Sequence, residues 1–493
     1  MAPAHWYERK EFFIDGHWQA PSSNAVIEVI APATEQVLGR CPEALPADVD
    51  RAVAAARKAF DTGPWPRMSS QERVAILKKM ASRLRSEADD TAHFLCEEMG
   101  ASISSLLQGK GGVPMLFDYY ADIASRHPFL ESRAGLVGPA YVHHAPVGVV
   151  GAITPWNGPL FLLALKMAPA LAAGCTVVAK PPPEAPLDAY LLAEAAKAAG
   201  LPAGVFNLVP GGRETGEHLV RHPDVDKITF TGSTVAGRRI AALCGEQLKR
   251  VGLELGGKSA AIVLPDAPID VLANFGVSCG LAFNNGQACA ALTRILVPRA
   301  MQSEVVEAMA ASVRKLVVGD PKDPTTQVGP LIAKRQRERV ESYIQAGKQA
   351  GAKVAVGGGR PAHLPRGWYV EPTLFYDVDN QMQIAQEEIF GPVGVVIPYD
   401  GGEEAAIALA NDTAYGLAGA VFTADLQRGL AVARRIRAGT FGVNTFYIDP
   451  ACPFGGFKAS GVGREMGPEG FTAYLEHQTV LGLPEGMRMA VSA

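Results

Sequence analysis

The sequence predicts an α/β protein built around a mostly parallel β-sheet of the nucleotide-binding type. Two observations support this: short β-branched runs recur between residues 147 and 254, and helical segments separate them. A strand, a crossover helix and a second strand form a right-handed unit that leaves both strands parallel. The runs are VGVVGAI, CTVVAK, GVFNLV, DKITF and KRVGLE, and two of the helical segments span residues 187–199 and 233–244.

The chain outside this region divides into three further parts. The first 130 residues are predicted to be mainly helical after a short N-terminal strand region, because apolar residues recur at helical spacing and a capping box, Ser69-x-x-Glu72, opens a second helix. A second α/β stretch begins near Ser259, so we place a boundary near Gly256. Residues 132–146 and the tail after residue 471 are predicted to be extended and to form a small protruding sheet, an arm of the kind that joins subunits.

Composition excludes several classes of protein. The chain has 493 residues, with 46 Lys and Arg against 50 Asp and Glu, a net charge of −4. This near-neutral balance argues against nucleic acid or a membrane surface as a partner. The seven cysteines lack a C-x-x-C pair, which predicts reduced thiols in the cytoplasm and no metal site. The longest uncharged stretch, residues 145–165, contains three prolines and is therefore not a spanning helix.

Two motifs resemble sites that their context does not support. Residues 252–259 match the P-loop pattern G-x-x-x-x-G-K-S, but a phosphate cradle needs its lysine and serine to open a helix. Here Ser259 leads into an apolar run that predicts a strand, so a P-loop NTPase is kept only as an alternative. His218 and His222 share a helical face as in zinc proteases, but the glutamate base is missing, which favours an ordinary surface helix.

A glycine turn after the run DKITF is a candidate phosphate-binding element. It contains Gly232, Ser233 and Gly237 and leads into a helix, whose first N–H groups can bind a diphosphate. The turn lacks the G-x-G-x-x-G spacing, so by itself it is equally typical of a tight connection. Phosphate binding therefore needs support from other parts of the chain.

Three residues have the chemistry of a carbonyl-reacting site. Cys289 lies in a loop of small residues that would let a carbonyl approach its thiolate, although most buried cysteines are inert. Glu254 lies between two leucines at a predicted strand end, where desolvation raises a carboxyl pKa to a range suited to a general base; a salt-bridged edge residue is the alternative. Asn157 follows a predicted strand and offers an uncharged N–H donor for an oxyanion, or simply forms a turn.

An ordered series of motifs across more than 300 residues resembles the aldehyde dehydrogenase superfamily, in particular its NAD(P)-dependent, CoA-independent, non-phosphorylating members. The P-loop pattern overlaps one of these motifs, LELGGKS, and begins one residue before it. The motifs are PVGVVGAITPWN (146–157), TVVAKP (176–181), FTGST (230–234), LELGGKS (253–259), FNNGQAC (283–289), EEIFGPV (387–393) and PFGGFKASGVGRE (453–465).

The resemblance implies that an aldehyde is oxidised to its acid through a thiohemiacetal and a thioester on Cys289. Asn157 and the Cys289 N–H would form the oxyanion hole, and Glu254 would activate water. Lys180 is implied at the adenosine ribose, Ser233 at the diphosphate, and Glu388 with Phe390 at the nicotinamide ribose. The full set of implied NAD-binding residues is Ile153, Trp156, Lys180, Gly212, Gly232, Ser233, Gly237, Glu388 and Phe390.

The implied architecture has a Rossmann-like cofactor-binding domain (1–131 and 147–256), an α/β catalytic domain (257–470) and a β oligomerisation arm (132–146 and 471–493). Members of the family are usually homodimers or homotetramers. We therefore expect a cytoplasmic homo-oligomer that acts on a small-molecule aldehyde.

The sequence departs from the family pattern at two places. Gly158 replaces a bulky aromatic residue, so Gly158, Phe161, Phe446 and Phe454 are predicted to shape a wide apolar tunnel for a bulky, aromatic or terpenoid aldehyde. Pro183 stands where NAD-preferring relatives often place a glutamate, with Glu184 next to it, which leaves NADP open as a second cofactor. A cysteine-dependent thioesterase or esterase that needs no nicotinamide is the alternative function.

Overall fold

The computed structural model describes residues 3–481 of the chain. In that range the backbone forms two large β-sheets, one three-stranded sheet and one two-stranded sheet. The strands are β1 (Phe12–Ile14), β2 (His17–Gln19), β3 (Val26–Ala31), β4 (Gln36–Pro42), β5 (Leu130–Ala134), β6 (Pro139–Pro146), β7 (Val149–Ile153), β8 (Thr176–Lys180), β9 (Phe206–Leu208), β10 (Lys227–Thr231), β11 (Arg250–Glu254), β12 (Ser259–Val263), β13 (Leu292–Pro298), β14 (Lys353–Val356), β15 (Thr373–Tyr376), β16 (Val393–Tyr399), β17 (Ala418–Phe422), β18 (Thr440–Val443), β19 (Gly461–Val462) and β20 (Leu475–Leu481).

The α-helices cover the faces of these sheets. The predicted capping box is present, because the Ser69 hydroxyl accepts from the Glu72 N–H and the Glu72 carboxylate accepts from the Ser69 N–H. The helices are α1 (Pro46–Asp61), α2 (Ser70–Ser86), α3 (Ala88–Met99), α4 (Ile103–Gly109), α5 (Gly112–Arg126), α6 (Pro159–Ala173), α7 (Ala189–Ala199), α8 (Arg213–Arg221), α9 (Thr234–Glu246), α10 (Ile269–Val277), α11 (Gln302–Arg314), α12 (Lys334–Gln349), α13 (Gln383–Gln386), α14 (Gly402–Asn411), α15 (Leu426–Ala433) and α16 (Gly467–Thr472).

The first large sheet has the order β19-β11-β10-β7-β8-β9-β1-β2. Its five central strands, β11 to β9 in that order, are parallel, while β19 and the β1-β2 hairpin join the two edges in antiparallel fashion. The crossover helices α6, α7, α8 and α9 connect the parallel strands. The predicted α/β fold with a parallel nucleotide-type sheet is therefore confirmed.

The second large sheet has the order β14-β15-β16-β13-β12-β17-β18 and is parallel except at the β14 edge. Its strand β12 is buried along its whole length and begins at Ser259. The apolar run after the P-loop pattern is therefore a strand, as predicted. Lys258 and Ser259 open no helix, so the pattern lacks the phosphate cradle of an NTPase.

The three-stranded sheet has the order β20-β6-β5, with antiparallel pairs from Leu475 opposite Pro146 to Leu481 opposite Ala140. It joins the two segments that the sequence assigned to an arm. Its first strand begins at Leu130, and residues 471–472 of the assigned range belong to α16 instead. Residues 482–493 of that range lie outside the described part of the chain.

Strand β19 returns the C-terminal part of the chain to the first sheet. Leu253 pairs with Val462, and Glu254 pairs with Gly461, although residues 461–462 fall within the range predicted for the catalytic domain. A Cβ atom on Gly461 would lie 2.1 Å from the Leu253 carbonyl oxygen, so this close pairing needs a glycine. The crossing brings residues 463–466 beside the carboxyl ends of the parallel strands.

Helix α6 follows the first predicted motif and packs against α5, α2 and α16. It is apolar almost throughout, and its single charged residue, Lys166, is completely buried. Within residues 3–481, every helix is too short or too polar to cross a membrane.

Candidate active site

The carboxyl ends of four adjacent parallel strands meet at one edge of the first sheet. The last residues of these strands are Ile153 (β7), Lys180 (β8), Thr231 (β10) and Glu254 (β11). Ligands of open α/β sheets bind outside this edge, because the connecting loops leave a crevice there. Three of these four residues were predicted to belong to the site, and the fold brings them together.

Cys289 lies at the end of an irregular segment that is held by buried polar contacts. Residues 278–282 form one π-helical turn, and Asn284, Asn285 and Gly286 have positive φ angles of 48°, 58° and 73°. Asn285 fixes this strained backbone, since its amide donates to the Gly100 and Pro330 carbonyls and accepts from the Gly329 N–H. The left-handed backbone explains the Asn-Asn-Gly run of the motif.

Two glycines allow the Cys289 loop to contact the rest of the site closely. A Cβ atom on Gly257 would lie 2.2 Å from the Cys289 carbonyl oxygen, and one on Gly286 would lie 2.3 Å from the Gly391 carbonyl carbon. Neither position accepts a side chain without movement of the backbone. Gly257, three residues after Glu254, is therefore a packing requirement of the Cys289 loop.

The Cys289 thiol is partly accessible and lies among carboxyl groups. Burial raises the pKa of the thiol to about 12, and the charges of Glu388 and Glu254 add to the effect, while the N–H groups of Cys289 and Ala290 oppose it. Burial and the neighbouring carboxylates thus both oppose formation of the thiolate. The same main-chain N–H groups are available to an oxygen atom bound near the sulfur.

Asn157 is attached to the Cys289 loop by two hydrogen bonds. Its side-chain amide donates to the Gln287 carbonyl at 3.0 Å, and its own carbonyl accepts from the Asn284 amide at 2.6 Å. The Gln287 side chain in turn accepts from the Ile332 N–H at 3.0 Å. The Asn157 amide is therefore positioned by the loop that carries the thiol, which is the arrangement an oxyanion donor requires.

Glu254 ends β11 with only 4% of its surface exposed. Among the described residues its Oε2 atom has no hydrogen-bond partner. Burial raises the pKa of this carboxyl well above its usual value, the Glu465 charge raises it further, and Lys166 and Arg464 oppose these effects. A Cβ atom on Gly455 would lie 2.6 Å from Glu254 Oε1, so a glycine is needed beside the carboxyl.

A buried ion pair below Glu254 was missed by the sequence analysis. Lys166 on α6 forms an ion pair with Glu465 and donates to the Thr231 hydroxyl at 2.7 Å. Glu465 also accepts from the Thr229 hydroxyl at 3.2 Å. The only sequence signal was one lysine in an otherwise apolar helix, since a fully buried lysine needs a partner.

The candidate cofactor residues at the sheet edge include a helix N-terminus and a buried lysine. Ser233 caps α9 and is exposed, with its hydroxyl accepting from the Ala236 N–H at 3.3 Å, so the first turn is open to an anion. A Cβ atom on Gly237 would lie 2.4 Å from the Leu255 side chain, which shows how closely α9 approaches the sheet. Gly232 lies in the turn before Ser233.

Lys180 is 5% exposed and donates to the Pro181 and Gly211 carbonyls at 3.0 and 2.9 Å. Burial lowers the pKa of its ammonium to about 8, and the Glu184 charge opposes this change. Gly212 follows Gly211 and precedes α8. A helix N-terminus, a cation and small residues along one crevice suit a dinucleotide, so the residues present fit NAD.

Trp156, Glu388 and Phe390 lie on the other side of Cys289. The rings of Trp156 and Phe390 pack edge to face with centroids 5.3 Å apart, and Phe390 has a positive φ of 64°. Glu388 accepts from the Gly257 N–H at 3.0 Å, and burial raises the pKa of its carboxyl to about 7. Glu388 therefore lies close enough to the thiol to affect its ionisation.

The predicted tunnel residues divide into two pairs. Phe446 and Phe454 are buried and line a cavity of about 250 Å³. Gly158 and Phe161 do not line it and lie around the start of α6, where the Phe161 ring approaches the Cβ direction of Gly112 at 3.4 Å. A Cβ atom on Gly158 would have no neighbour closer than 3.8 Å, so the space beside it is open.

The histidine pair of the sequence analysis has an ordinary structural explanation. His218 lies on α8 and His222 follows its end; both contact Asp50, with nitrogen-to-oxygen distances of 2.6 and 3.6 Å. Between residues 3 and 481, no cluster of three or more His, Cys, Asp or Glu side chains is arranged to hold a metal ion.

Comparison with known proteins identifies the family. The model of the Aldehyde dehydrogenase family matches residues 18–480. A curated relative, geranial dehydrogenase from Castellaniella defragrans, is 45% identical and covers 96% of this chain and 98% of its own. Another, 3-succinoylsemialdehyde-pyridine dehydrogenase from a Pseudomonas species, is 44% identical with the same coverage.

Solved structures agree with these sequence relatives. A Mycobacterium tuberculosis aldehyde dehydrogenase complexed with NAD+ has a TM-score of 0.95 and 48% identity and covers 98% of this chain and 99% of its own. A mutant of aldehyde dehydrogenase C from Pseudomonas syringae, complexed with NAD+ and octanal, has a TM-score of 0.94 and 42% identity, with 99% of each chain covered. The chain belongs to the aldehyde dehydrogenase family. It is an NAD(P)-dependent enzyme that oxidises a small-molecule aldehyde, and NAD is its cofactor.

Proposed function

We propose that this enzyme oxidises a bulky, aromatic or terpenoid aldehyde, with Cys289 as nucleophile, Asn157 as oxyanion donor and Glu254 as the base that activates water. The observation that carries the proposal is the packing of the segment after Glu254 against the Cys289 loop, since a Cβ atom on Gly257 would lie 2.2 Å from the Cys289 carbonyl oxygen. The charge of the Glu254 carboxyl accordingly raises the pKa of the thiol. A nucleophile and a base within electrostatic reach of each other suit a covalent reaction in two steps.

In the first step the Cys289 thiol passes its proton to water, and the thiolate adds to the aldehyde carbon to give a tetrahedral thiohemiacetal. The Asn157 amide and the Cys289 N–H hold the oxygen as its negative charge develops. The nicotinamide of NAD, held by the proposed cofactor residues, would accept a hydride from the adduct. This oxidation would leave a thioester on the Cys289 sulfur.

In the second step Glu254 takes a proton from water, and the hydroxide adds to the thioester carbon. The same oxyanion donors hold the oxygen again, the carbon–sulfur bond breaks, and the carboxylic acid leaves. A carboxyl with a raised pKa suits this role because it binds the transferred proton more strongly than an ordinary carboxylate. The charges of Lys166 and Glu465 act on the Glu254 carboxyl with opposite signs, Glu465 raising its pKa and Lys166 lowering it.

The proposed cofactor residues follow the crevice from one end to the other. Lys180 and Gly212 would lie at the adenosine ribose, the α9 N-terminus with Gly232, Ser233 and Gly237 at the diphosphate, and Ile153, Trp156, Glu388 and Phe390 around the nicotinamide and its ribose. The exposed first turn of α9 and the packing of Trp156 on Phe390 support this assignment.

Two features support a bulky substrate. The Cβ direction of Gly158 is open, and Phe446 and Phe454 line a cavity large enough for several carbon atoms. The relative named geranial dehydrogenase supports a terpenoid aldehyde.

The test is a panel of aliphatic, aromatic and terpenoid aldehydes with NAD and NADP, followed at the absorbance of the reduced cofactor. Cys289→Ala is the blank. Gly158→Phe should lower kcat/KM for large aldehydes at least 10-fold, because a change of about one methylene group in an apolar pocket already has an effect of roughly this size. It should leave kcat/KM for small aldehydes unchanged. Equal loss for all aldehydes would contradict the substrate proposal, and ester or thioester cleavage without any absorbance change would favour the nicotinamide-independent alternative.

We also propose the domain division given by the sequence, in which residues 1–131 and 147–256 bind the cofactor and residues 257–470 carry the thiol.

We further propose a homodimer or homotetramer that is joined through the arm. Leu136 and Val137 at the tip of the β5–β6 hairpin are fully exposed, which supports their burial against a second copy. Sedimentation of Val137→Asp against the unchanged protein tests this, and an identical mass for both would contradict it.

A further inference from the structure

The N-terminus of α12 contacts two segments of the proposed cofactor site and the loop that follows Lys180. Ala333, which precedes the helix, packs in the same apolar cluster as Trp156. Gln336 donates to the Phe390 carbonyl at 2.7 Å. Between these two contacts, Arg335 reaches the Glu184 carboxylate and forms an ion pair with it.

This ion pair lies at the end of the site that we propose for the adenosine ribose. Glu184 lies four residues after Lys180, and its charge acts on the Lys180 ammonium. The Glu184 side chain is mostly buried, with 19% exposed, whereas that of Arg335 is 60% exposed. The guanidinium is therefore open to solvent on the side that does not contact the carboxylate.

The pair changes what this end of the site can bind. A carboxylate that accepts hydrogen bonds from both ribose hydroxyls favours NAD. Here the carboxylate at this end of the site, that of Glu184, already accepts from Arg335. Lys180 cannot take the place of the carboxylate as an acceptor for the ribose hydroxyls, because its ammonium group only donates hydrogen bonds. Two of its N–H groups already donate to main-chain carbonyls. An exposed guanidinium beside this position is suited to a phosphate dianion, with which it forms charge-assisted, bidentate hydrogen bonds.

We propose that Arg335 determines cofactor choice by binding the 2′-phosphate of NADP, so that this enzyme accepts NADP as well as NAD. Glu184 acts against it in two ways, by neutralising the guanidinium and by repelling the phosphate. The inference rests on the proposed cofactor site, but it does not depend on the identity of the aldehyde or on the roles of Cys289 and Glu254.

Other residues of α12 provide the matched control. Arg337 is two positions further along the helix, donates to the Gly367 carbonyl and contacts Glu341. It belongs to the same basic stretch but has none of the contacts with Glu184. Removal of its charge changes the net charge of the protein by the same amount as removal of the Arg335 charge.

The experiment measures binding of two small molecules by isothermal titration calorimetry, independently of catalysis. Adenosine 2′,5′-bisphosphate and 5′-AMP differ only in the 2′-phosphate. Arg335→Gln should weaken the bisphosphate roughly 10- to 100-fold, the range expected for lost charge-assisted hydrogen bonds, and leave 5′-AMP within about 2-fold. Arg337→Gln should change neither affinity by more than about 2-fold, and Glu184→Gln should tighten the bisphosphate.

Three results would overturn the proposal: unchanged bisphosphate affinity in Arg335→Gln, an equal loss for both ligands, or weaker bisphosphate binding in Glu184→Gln. Steady-state kcat/KM with NADP and with NAD gives a second reading, in which only the NADP value should fall in Arg335→Gln. If the enzyme oxidises none of the aldehydes in the panel, the proposed substrate class fails while the calorimetric result still decides the role of Arg335.

Discussion

The side-chain amide of Asn157 donates a hydrogen bond to the Gln287 carbonyl at 3.0 Å. This contact joins the end of β7 to the loop that carries Cys289, although the two residues are 130 positions apart in the chain. An N–H donor that is already positioned pays no reorganisation energy when charge develops on a nearby oxygen.

Asn157→Asp should therefore lower kcat about 10²- to 10³-fold, because a carboxylate of the same shape repels the oxyanion that the amide would hold. Steady-state kinetics with a good aldehyde from the panel gives kcat and KM, and the melting temperature shows whether the fold is kept. Gln383→Glu, at an exposed position of α13, is the control for the charge change. A kcat within 2-fold of the unchanged enzyme would rule out the proposed role of Asn157.

Glu388 should control the ionisation of the nucleophile. Its negative charge is the largest electrostatic cause of the raised thiol pKa after burial itself. Glu388→Gln removes that charge and should lower the pKa of Cys289, so that the rate of inactivation by iodoacetamide rises at a lower pH than in the unchanged enzyme.

Inactivation rates between pH 6 and pH 10 measure this shift. Glu387→Gln is the matched control, since Glu387 is the neighbouring carboxyl but is not among the causes of the thiol shift. Overlapping profiles for Glu388→Gln and the unchanged enzyme would mean that Glu388 does not act on the thiol.

The buried ion pair of Lys166 and Glu465 should make a large contribution to the free energy of unfolding. Lys166→Met leaves the Glu465 carboxylate partly buried without its cation, and we expect a loss of about 3–5 kcal/mol in the free energy of unfolding. The double variant Lys166→Met/Glu465→Leu should recover most of this loss, because no unpaired charge is left.

Urea unfolding followed by fluorescence measures these changes. Lys78→Met is the control, since Lys78 and Asp122 form an ion pair in which both side chains are more than half exposed, and such a pair contributes about 0–1 kcal/mol. Equal effects of Lys166→Met and Lys78→Met would contradict the argument.

Three histidines where the arm meets the end of α5, namely His127, His144 and His477, should make stability depend on pH. His144 Nδ1 lies 2.7 Å from His127 Nε2, and the rings of His144 and His477 are 4.8 Å apart, with Glu131 as the nearest acidic side chain. Burial is the main cause that lowers the pKa of His127 to about 4, and the charges of the other two histidines lower it further. Burial also lowers the pKa of His144. Unfolded histidine titrates near pH 6.5.

Between about pH 4 and pH 6.5 the unfolded chain binds more protons than the folded chain. The stability of the folded protein is therefore complete with respect to these histidines above about pH 6.5, and it decreases as the pH falls towards 4. The melting temperature should drop between pH 7 and pH 5, and the drop should be smaller in His127→Gln. His93→Gln, at an exposed position of α3, should leave the pH dependence unchanged. A His127→Gln profile parallel to that of the unchanged protein would exclude the cluster as the cause.

Much of the site could be predicted because its signals are local. The strands that end at Ile153, Lys180 and Glu254 are short β-branched runs, and parallel strands bring their carboxyl ends to one edge. The Asn-Asn-Gly run before Cys289 reflects a left-handed backbone, which neighbouring residues impose. The two α/β sheets and the arm strands also follow from periodicity and turn residues within a few positions of each other.

The sequence by itself therefore determined the fold class and the family, and it predicted that the Cys289 thiol, the Asn157 amide and the Glu254 carboxyl form the site. Only the tertiary structure decided which distant charges meet: Lys166 with Glu465, 299 residues apart, and Glu184 with Arg335, 151 residues apart. Hydrophobic periodicity and turn chemistry act over a few residues, whereas an ion pair depends on how whole elements pack, so one lysine in an apolar helix or one arginine in a basic helix does not reveal its partner.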